Sequence, residues 1–201
     1  MAKSTETGKT CLRCQRHHLK IYSGFCRNCL FAVMDGRMRK SVKEVFQKNM
    51  KLLSIGEMAY DCLSKAVDSR LNIRTKDAGF FGADNLLNLD SNTGIGQYIL
   101  AEKIDFIILP WTADLEAACM LETFFTGRNL YPGKKFVRLF RDIDSKTLKM
   151  YCKLRKIKYE EFVMPSSAKF LSAMENKYPG IIYSLAKSRQ TAGEIDFKIK
   201  K

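Results

Sequence analysis

Apolar positions along this chain repeat in two periods, and the period changes from one segment to the next. Leu30, Val33, Met34, Met38, Val42, Val45 and Phe46 recur at steps of three and four, which predicts a helix from Leu30 to Lys48. Met50 to Ser54 is a short apolar run of strand length. Met58, Cys62, Leu63, Ala66 and Val67 then form the inner stripe of a helix over 56–70. Residues 72–92 carry Gly, Asn and Asp without periodicity and read as loop, and a helix with a poor start covers 93–103. Asp105 to Leu109 is the strongest strand signal, an unbroken apolar run that suits burial on both faces; Pro110 is expected to end it.

A helix over 113–126 follows, with Leu115, Ala118, Leu121, Phe124 and Phe125 on its core face and Gly127 just past its end. Phe136 to Phe140 alternates with arginine, as a strand near a rim does. Asp144 caps a helix that reaches about Lys156, and Ile143 and Leu148 stand at the positions of a hydrophobic staple. Pro165-Ser166-Ser167 opens another, with Phe170, Leu171 and Met174 inward. Pro179 breaks it, and Ile181, Ile182 and Leu185 begin the last one. Strand and helix alternate across 50–186, which predicts an α/β fold with a doubly wound, mostly parallel sheet.

The stretch before this pattern has a different logic. Cys11, Cys14, Cys26 and Cys29 form two C-x-x-C pairs separated by eleven residues. Each pair sets two sulfurs on one tight turn, the bite a tetrahedral Zn²⁺ requires, and the intervening loop can fold back as a hairpin. Leu19, Ile21 and Tyr22 suggest a strand of that hairpin, and Ser23-Gly24 suggests its turn. So short a stretch cannot order itself by apolar burial. The metal would supply the folding free energy, roughly 10–16 kcal/mol in comparable peptides. Two disulfides or a redox pair are the other readings of four cysteines. A complete thiolate shell leaves His17 and His18 to solvent or to phosphate. The organisation expected is a zinc ribbon over 1–35, the α/β domain over 36–187 and a polar tail over 188–201.

Charge narrows the range of partners. The formal net charge is +14 over 201 residues, and the positive positions cluster. From Lys3 to Lys51 twelve Lys or Arg stand against three acids, and from Lys134 to Lys158 ten stand against two. Two such blocks are the electrostatic footprint of nucleic-acid binding, where neutralised phosphates release counterions. A solvated basic surface, an anionic membrane surface and an acidic protein partner are the competing readings. No run approaches ~18 uninterrupted apolar residues, so no membrane span is expected. An odd number of cysteines, four of them in metal spacing, suits a reducing compartment, and the cytoplasm is the expected location.

The loop after the first predicted strand, Ser54-Ile55-Gly56-Glu57-Met58, lies where an α/β fold binds phosphate. It is a poor cradle. It has one glycine, the bulky Ile55 where a backbone must approach closely, and the opposing charge of Glu57.

In order, the two C-x-x-C pairs, the basic helix, this loop, LPWTADLEAACMLETFFTGR, VRLFRDIDSKTLKMYCKLRKI and AKFLSAMENKYPGIIYSL resemble the family of cytoplasmic tRNA 2-thiolation protein 2. That family supplies the second subunit of the heterodimer that places sulfur on the wobble uridine of certain tRNAs. The resemblance implies a PP-loop ATPase-like fold behind a zinc module. Its catalytic relatives bind ATP on a Ser-Gly-Gly-x-x-Ser loop, which falls on Ser54 to Ala59, where only Ser54 and Gly56 agree. A second motif, Gly-His-Asn-x-Asp-Asp, falls on Pro110 to Leu115, where only Asp114 agrees. No second C-x-x-C follows Cys29, and Cys62, Cys119 and Cys152 read as isolated buried residues. The chain is also short for this family, and the cysteine-rich C-terminal segment that members can carry is not in it.

The resemblance therefore implies a supporting subunit with no catalytic residues and no ATP of its own. It implies tRNA, a catalytic PP-loop subunit and, through the complex, a ubiquitin-like sulfur carrier as partners. Arg37, Arg39, Lys40, Lys134, Lys135, Arg138 and Arg141 are the positive positions expected to face tRNA. Three rivals remain. One is an ATP-dependent tRNA sulfurtransferase in its own right, which needs a phosphate loop and a nucleophilic cysteine. Another is a zinc-ribbon RNA-binding protein unrelated to thiolation. The last is an interaction protein with a basic face for an acidic partner.

Overall fold

A computed structural model describes residues 8–43, 50–67, 73–76, 101–127, 136–161 and 164–188. Lys134, Lys135, Val45, Phe46, the tail and most of 72–103 lie outside them. Two short strands open the chain, β1 (Lys9–Thr10) and β2 (His17–His18), paired antiparallel. The α/β part runs α1 (Arg27–Lys43), β3 (Leu52–Ile55), α2 (Glu57–Ala66), β4 (Ile73–Lys76), β5 (Phe106–Thr112), α3 (Ala113–Thr126), β6 (Phe136–Phe140), α4 (Ser145–Arg155) and α5 (Ala168–Lys177). Residues 181–188 form a last helix, α6.

β4, β3, β5 and β6 lie side by side in that order, all parallel. Pleating sends successive side chains to opposite faces. Leu52, Ile108, Val137 and Leu139 pack into one core with α1, α2 and α4, through Leu30, Met34, Met38, Met58, Leu63 and Leu148. Leu53, Ile55, Ile107, Leu109 and Trp111 face the other way, onto Leu115 and Cys119 of α3. Helices therefore cover both faces, as the predicted alternation requires.

Several element boundaries differ from the sequence reading. β4 falls inside 72–92, which reads as loop because Ile73 is the one aliphatic residue of its four-residue span. Parallel pairing with β3, register Leu52 to Ile73, makes it a strand. β5 does not stop at Pro110 but continues to Thr112. Proline removes one ladder donor, and the pairing with β6 shifts register between Leu109 and Thr112 to absorb that loss. In α3, Phe124 and Phe125 are 70% and 66% exposed, not core. Its middle is used on two sides, with Ala117 and Ala118 against Leu171 of α5 and Leu115 and Cys119 against the sheet. Phe170, expected inward, is also exposed and stands edge-on to Phe125 with ring centroids 6.2 Å apart.

Two polar nodes tie the layers together. Asp35 on α1 accepts hydrogen bonds of 2.6 Å from Tyr151 Oη and from Arg155 Nη2, both on α4. The Arg155 guanidinium lies 4.1 Å from the centre of the Phe31 ring. Across the other face, Arg138 of β6 reaches Glu116 of α3 at 3.0 Å, and the Glu116 side chain is fully buried. Truncating one partner of a buried ion pair strands the other charge. Arg138→Ala is therefore expected to cost about 3–5 kcal/mol in urea denaturation, and Arg138→Met combined with Glu116→Leu to recover most of it.

Candidate functional site

Local geometry assembles the four cysteines. Cys11 to Cys14 turns on itself, with Gln15 N donating to Cys11 O at 3.0 Å and Gln15 in the left-handed region at φ 57°. The second pair straddles the start of α1: Cys26 precedes it and Cys29 sits in its first turn. Between them Ser23 and Gly24, at φ 47° and 84°, make the tight turn that lets Tyr22 and Phe25 pair. Leu12 N donates to Gly24 O at 2.8 Å and clamps the two halves. The turn and the pairing of Tyr22 across it agree with expectation, while the two-stranded ladder with β1 uses His17 and His18 in place of Leu19 and Ile21.

All four ligand atoms lie within 4.8 Å of one another. A tetrahedral ion bound to sulfur at about 2.3 Å separates the sulfurs by about 3.8 Å, so the set has the number, chemistry and spacing to hold one metal ion. The site favours the thiolate at Cys11 and opposes it at Cys29. Burial works against ionisation of Cys11, but backbone donors at Cys14, Cys26 and Arg13 overcome it and bring its pKa down to about 6. Cys26 N donates to Cys11 Sγ at 3.3 Å. Burial, with the neighbouring thiols and the Cys11 charge, pushes Cys29 up to about 12. Cys29, in the first turn of α1, sets the positive end of that helix's dipole beside the cluster. His18, expected in solvent or near phosphate, is half-buried with Nε2 3.4 Å from Cys14 Sγ. His17 is exposed, and its Nδ1 lies 3.2 Å from Gly8 O.

The second feature is the crevice at the C-terminal edge of the sheet. β3 is followed in sequence by β4 on one side, while β5 lies on its other side, so the chain parts between β3 and β5. Parallel sheets bind ligands at such a switch point. Ser54 is buried at the end of β3 and donates to Gly56 O at 3.3 Å. Gly56 adopts φ 84° and precedes α2 without a side-chain cap. The first amides of α2 instead donate to Glu160 Oε1, Glu57 N at 3.0 Å and Met58 N at 3.3 Å. Glu160 N donates back to Met58 Sδ at 3.4 Å. Asp114 accepts from Ser145 N at 3.1 Å and from the Ser145 hydroxyl, so it caps α4. A cleft of about 310 Å³ opens alongside, lined by Ser145, Lys146, Lys149, Tyr159, Glu161 and Met164. Burial, then the Asp114 charge, pushes Tyr159 up to about 12.

The basic candidates separate by environment. Arg138 points into the Glu116 ion pair, with 11% of its side chain exposed. Arg37 Nη1 donates to Asp142 O at 2.7 Å, and Arg141 Nε lies 3.9 Å from Asp142 Oδ2, so these two gather at one corner. Arg39 is exposed and its Nη1 donates to Ala66 O at 3.2 Å, at the end of α2. Lys40 is exposed on the last turn of α1.

Two features escape the sequence. Glu160 lies 103 residues from the amide it caps, so no spacing rule finds it. Cys62 and Cys152 are not isolated: 90 residues apart in sequence, their sulfurs lie 3.8 Å apart in the core. The Cys152 sulfur and burial hold the Cys62 thiol far above its ordinary range.

Thiolate ligands compete with protons for a metal ion. Cys11→Ala, Cys14→Ala, Cys26→Ala and Cys29→Ala are each expected to abolish stoichiometric metal, read by elemental analysis of the purified chain. In the wild type, metal transfer to a colorimetric chelator is expected to increase as pH falls from 8 towards 5, because protons displace the ion.

No protein-family model and no curated protein matches the chain. Among solved structures it is similar to the U34-tRNA thiolase NcsA from Methanococcus maripaludis, whose structure holds a 4Fe-4S cluster. The match has a TM-score of 0.67 at 14% identity and covers 92% of this chain and 87% of that one. At that identity the likeness establishes a shared fold.

Proposed function

We propose that this chain is the supporting, non-adenylating subunit of a cytoplasmic complex that 2-thiolates the wobble uridine of tRNA. The observation that carries the reading is the fold shared with a U34-tRNA thiolase over 92% of the chain. The resemblance of its ordered sequence features to a thiolation subunit points the same way. A catalytic PP-loop subunit performs the adenylation and sulfur insertion, and a ubiquitin-like carrier brings the sulfur to the complex. This chain binds tRNA through positive surface and holds the partner.

The absence of ATP chemistry from the role is supported by the crevice. Its phosphate-facing amides are bonded to Glu160, and Asp114 is bonded to Ser145. The metal in this reading is Zn²⁺ on Cys11, Cys14, Cys26 and Cys29. Sulfurs within 4.8 Å of one another suit a single tetrahedral ion, whereas a four-iron cluster attaches each thiolate to a different iron and holds them further apart. The ion has a structural task, fixing the start of α1 and with it the helix that carries Arg37, Arg39 and Lys40. The paired thiols of Cys62 and Cys152 suit a reducing compartment.

Recovery of the chain from its native cytosol tests the role. The expected result is co-purification of a PP-loop subunit with tRNAs that bear 2-thiouridine. Mixed RNA with no such subunit would leave an RNA-binding protein unrelated to thiolation, and thiolation of tRNA by the lone chain given Mg-ATP and a sulfide or thiocarboxylate sulfur donor would make it the enzyme. Lys40→Glu is expected to weaken tRNA binding several-fold, and Lys40→Ala to reduce the slope of log K against log salt by about one, with little change in Tm.

A further inference from the structure

The N-terminus of α2 presents Glu57 N and Met58 N at the C-terminal edge of a parallel sheet, beside the switch point between β3 and β5. Unpaired amides and the helix dipole together make such a position attractive to an oxyanion. Here an oxyanion is already present, and it belongs to the chain. The carboxylate of Glu160 takes both amides through one oxygen, at 3.0 and 3.3 Å.

The loop is shaped around that carboxylate. Gly56 is required by its positive φ of 84°, and it packs against the carboxylate, since a Cβ there would meet Glu160 Oε2, the movable end of that side chain. Glu160 is held in turn by its neighbours. Ile157 is buried, its N donates to Cys152 O at 2.9 Å, and Glu160 N reaches Met58 Sδ. The strap 157–161 leaves α4 and lies across the start of α2.

We propose that Glu160 is a built-in phosphate mimic, an anionic latch that closes a working oxyanion site at the start of α2 against the polyphosphate of a nucleotide. The site keeps its two amide donors, and the carboxylate occupies both. The chain is barred from nucleotide by an added ligand as well as by its altered loop, and withdrawal of the strap re-creates an anion site. This inference concerns the crevice alone and stands whether or not the chain binds tRNA.

Inorganic tripolyphosphate is the probe, used on the full-length, metal-loaded chain. A ligand bound only by the folded state raises Tm. Glu160→Ala is expected to melt lower than wild type in phosphate-free buffer and to gain at least about 2 °C with 10 mM tripolyphosphate, while wild type gains nothing. Calorimetry is expected to show at least tenfold tighter tripolyphosphate binding by Glu160→Ala than by wild type. Glu160→Gln keeps an acceptor on the two amides and is expected to stay closed. Glu161→Ala removes the same charge from the next residue, an exposed one, and controls for net charge. The wild type also gives an answer alone, since the amide NMR resonances of Glu57 and Met58 should not move on titration. Movement of those resonances in wild type, a folded Glu160→Ala blind to the anion, or an equal gain in Glu161→Ala would each overturn the proposal.

Discussion

The first-turn amides of a helix have no partner within it, and each needs an acceptor from elsewhere in the chain or from solvent. In this protein that requirement organises much of the sheet's surroundings. The start of α1 faces the four cysteine sulfurs. The start of α2 is closed by Glu160. Ala113 at the start of α3 donates to Ile143 O at 2.9 Å, just before α4. α4 is capped twice, by Asp144 on Thr147 N at 2.8 Å and by Asp114 on Ser145 N. Three of these acceptors are carboxylates, and the cysteine sulfurs add thiolate character. Each lies where a basic chain can hold negative charge at little electrostatic cost.

The same contacts decide how the metal module relates to the rest. Cys29 and Leu30 are consecutive in α1, one facing the sulfur cluster and the other fully buried in the sheet's core. The Asp35–Tyr151–Arg155 node lies one to two turns further along that helix. A metal ion on the four cysteines would therefore act on the position of α1 through the helix itself. A structural ion in such a place sets the orientation of a basic helix as well as the fold of a small hairpin.

The crevice has the architecture at which parallel α/β sheets bind ligands. The strand order, a glycine with positive φ and a helix start are all present. Fold alone does not carry activity. Among the described residues, Ser54 bonds to Gly56 O, Asp114 to Ser145, and the two α2 amides to Glu160, so these groups are engaged within the chain.

Local patterns carried much of this protein into view. The cysteine spacing placed four ligands that the structure brings within 4.8 Å. The Ser23-Gly24 turn, the Asp144 cap, the Gly127 terminus and the buried run at Ile107 to Leu109 were all legible, because capping, turn geometry and periodicity act over a few residues. Contacts between distant segments were decided only by the tertiary structure. It made a strand of Ile73–Lys76 by giving it a parallel neighbour, and it turned Arg138 inward to a buried Glu116. It brought Cys62 beside Cys152, left Phe124 and Phe125 exposed, and set Glu160 on an amide 103 residues away. Periodicity identifies which side of an element is apolar. What that side meets depends on where its neighbours run and stop, and that is fixed only when the whole chain packs.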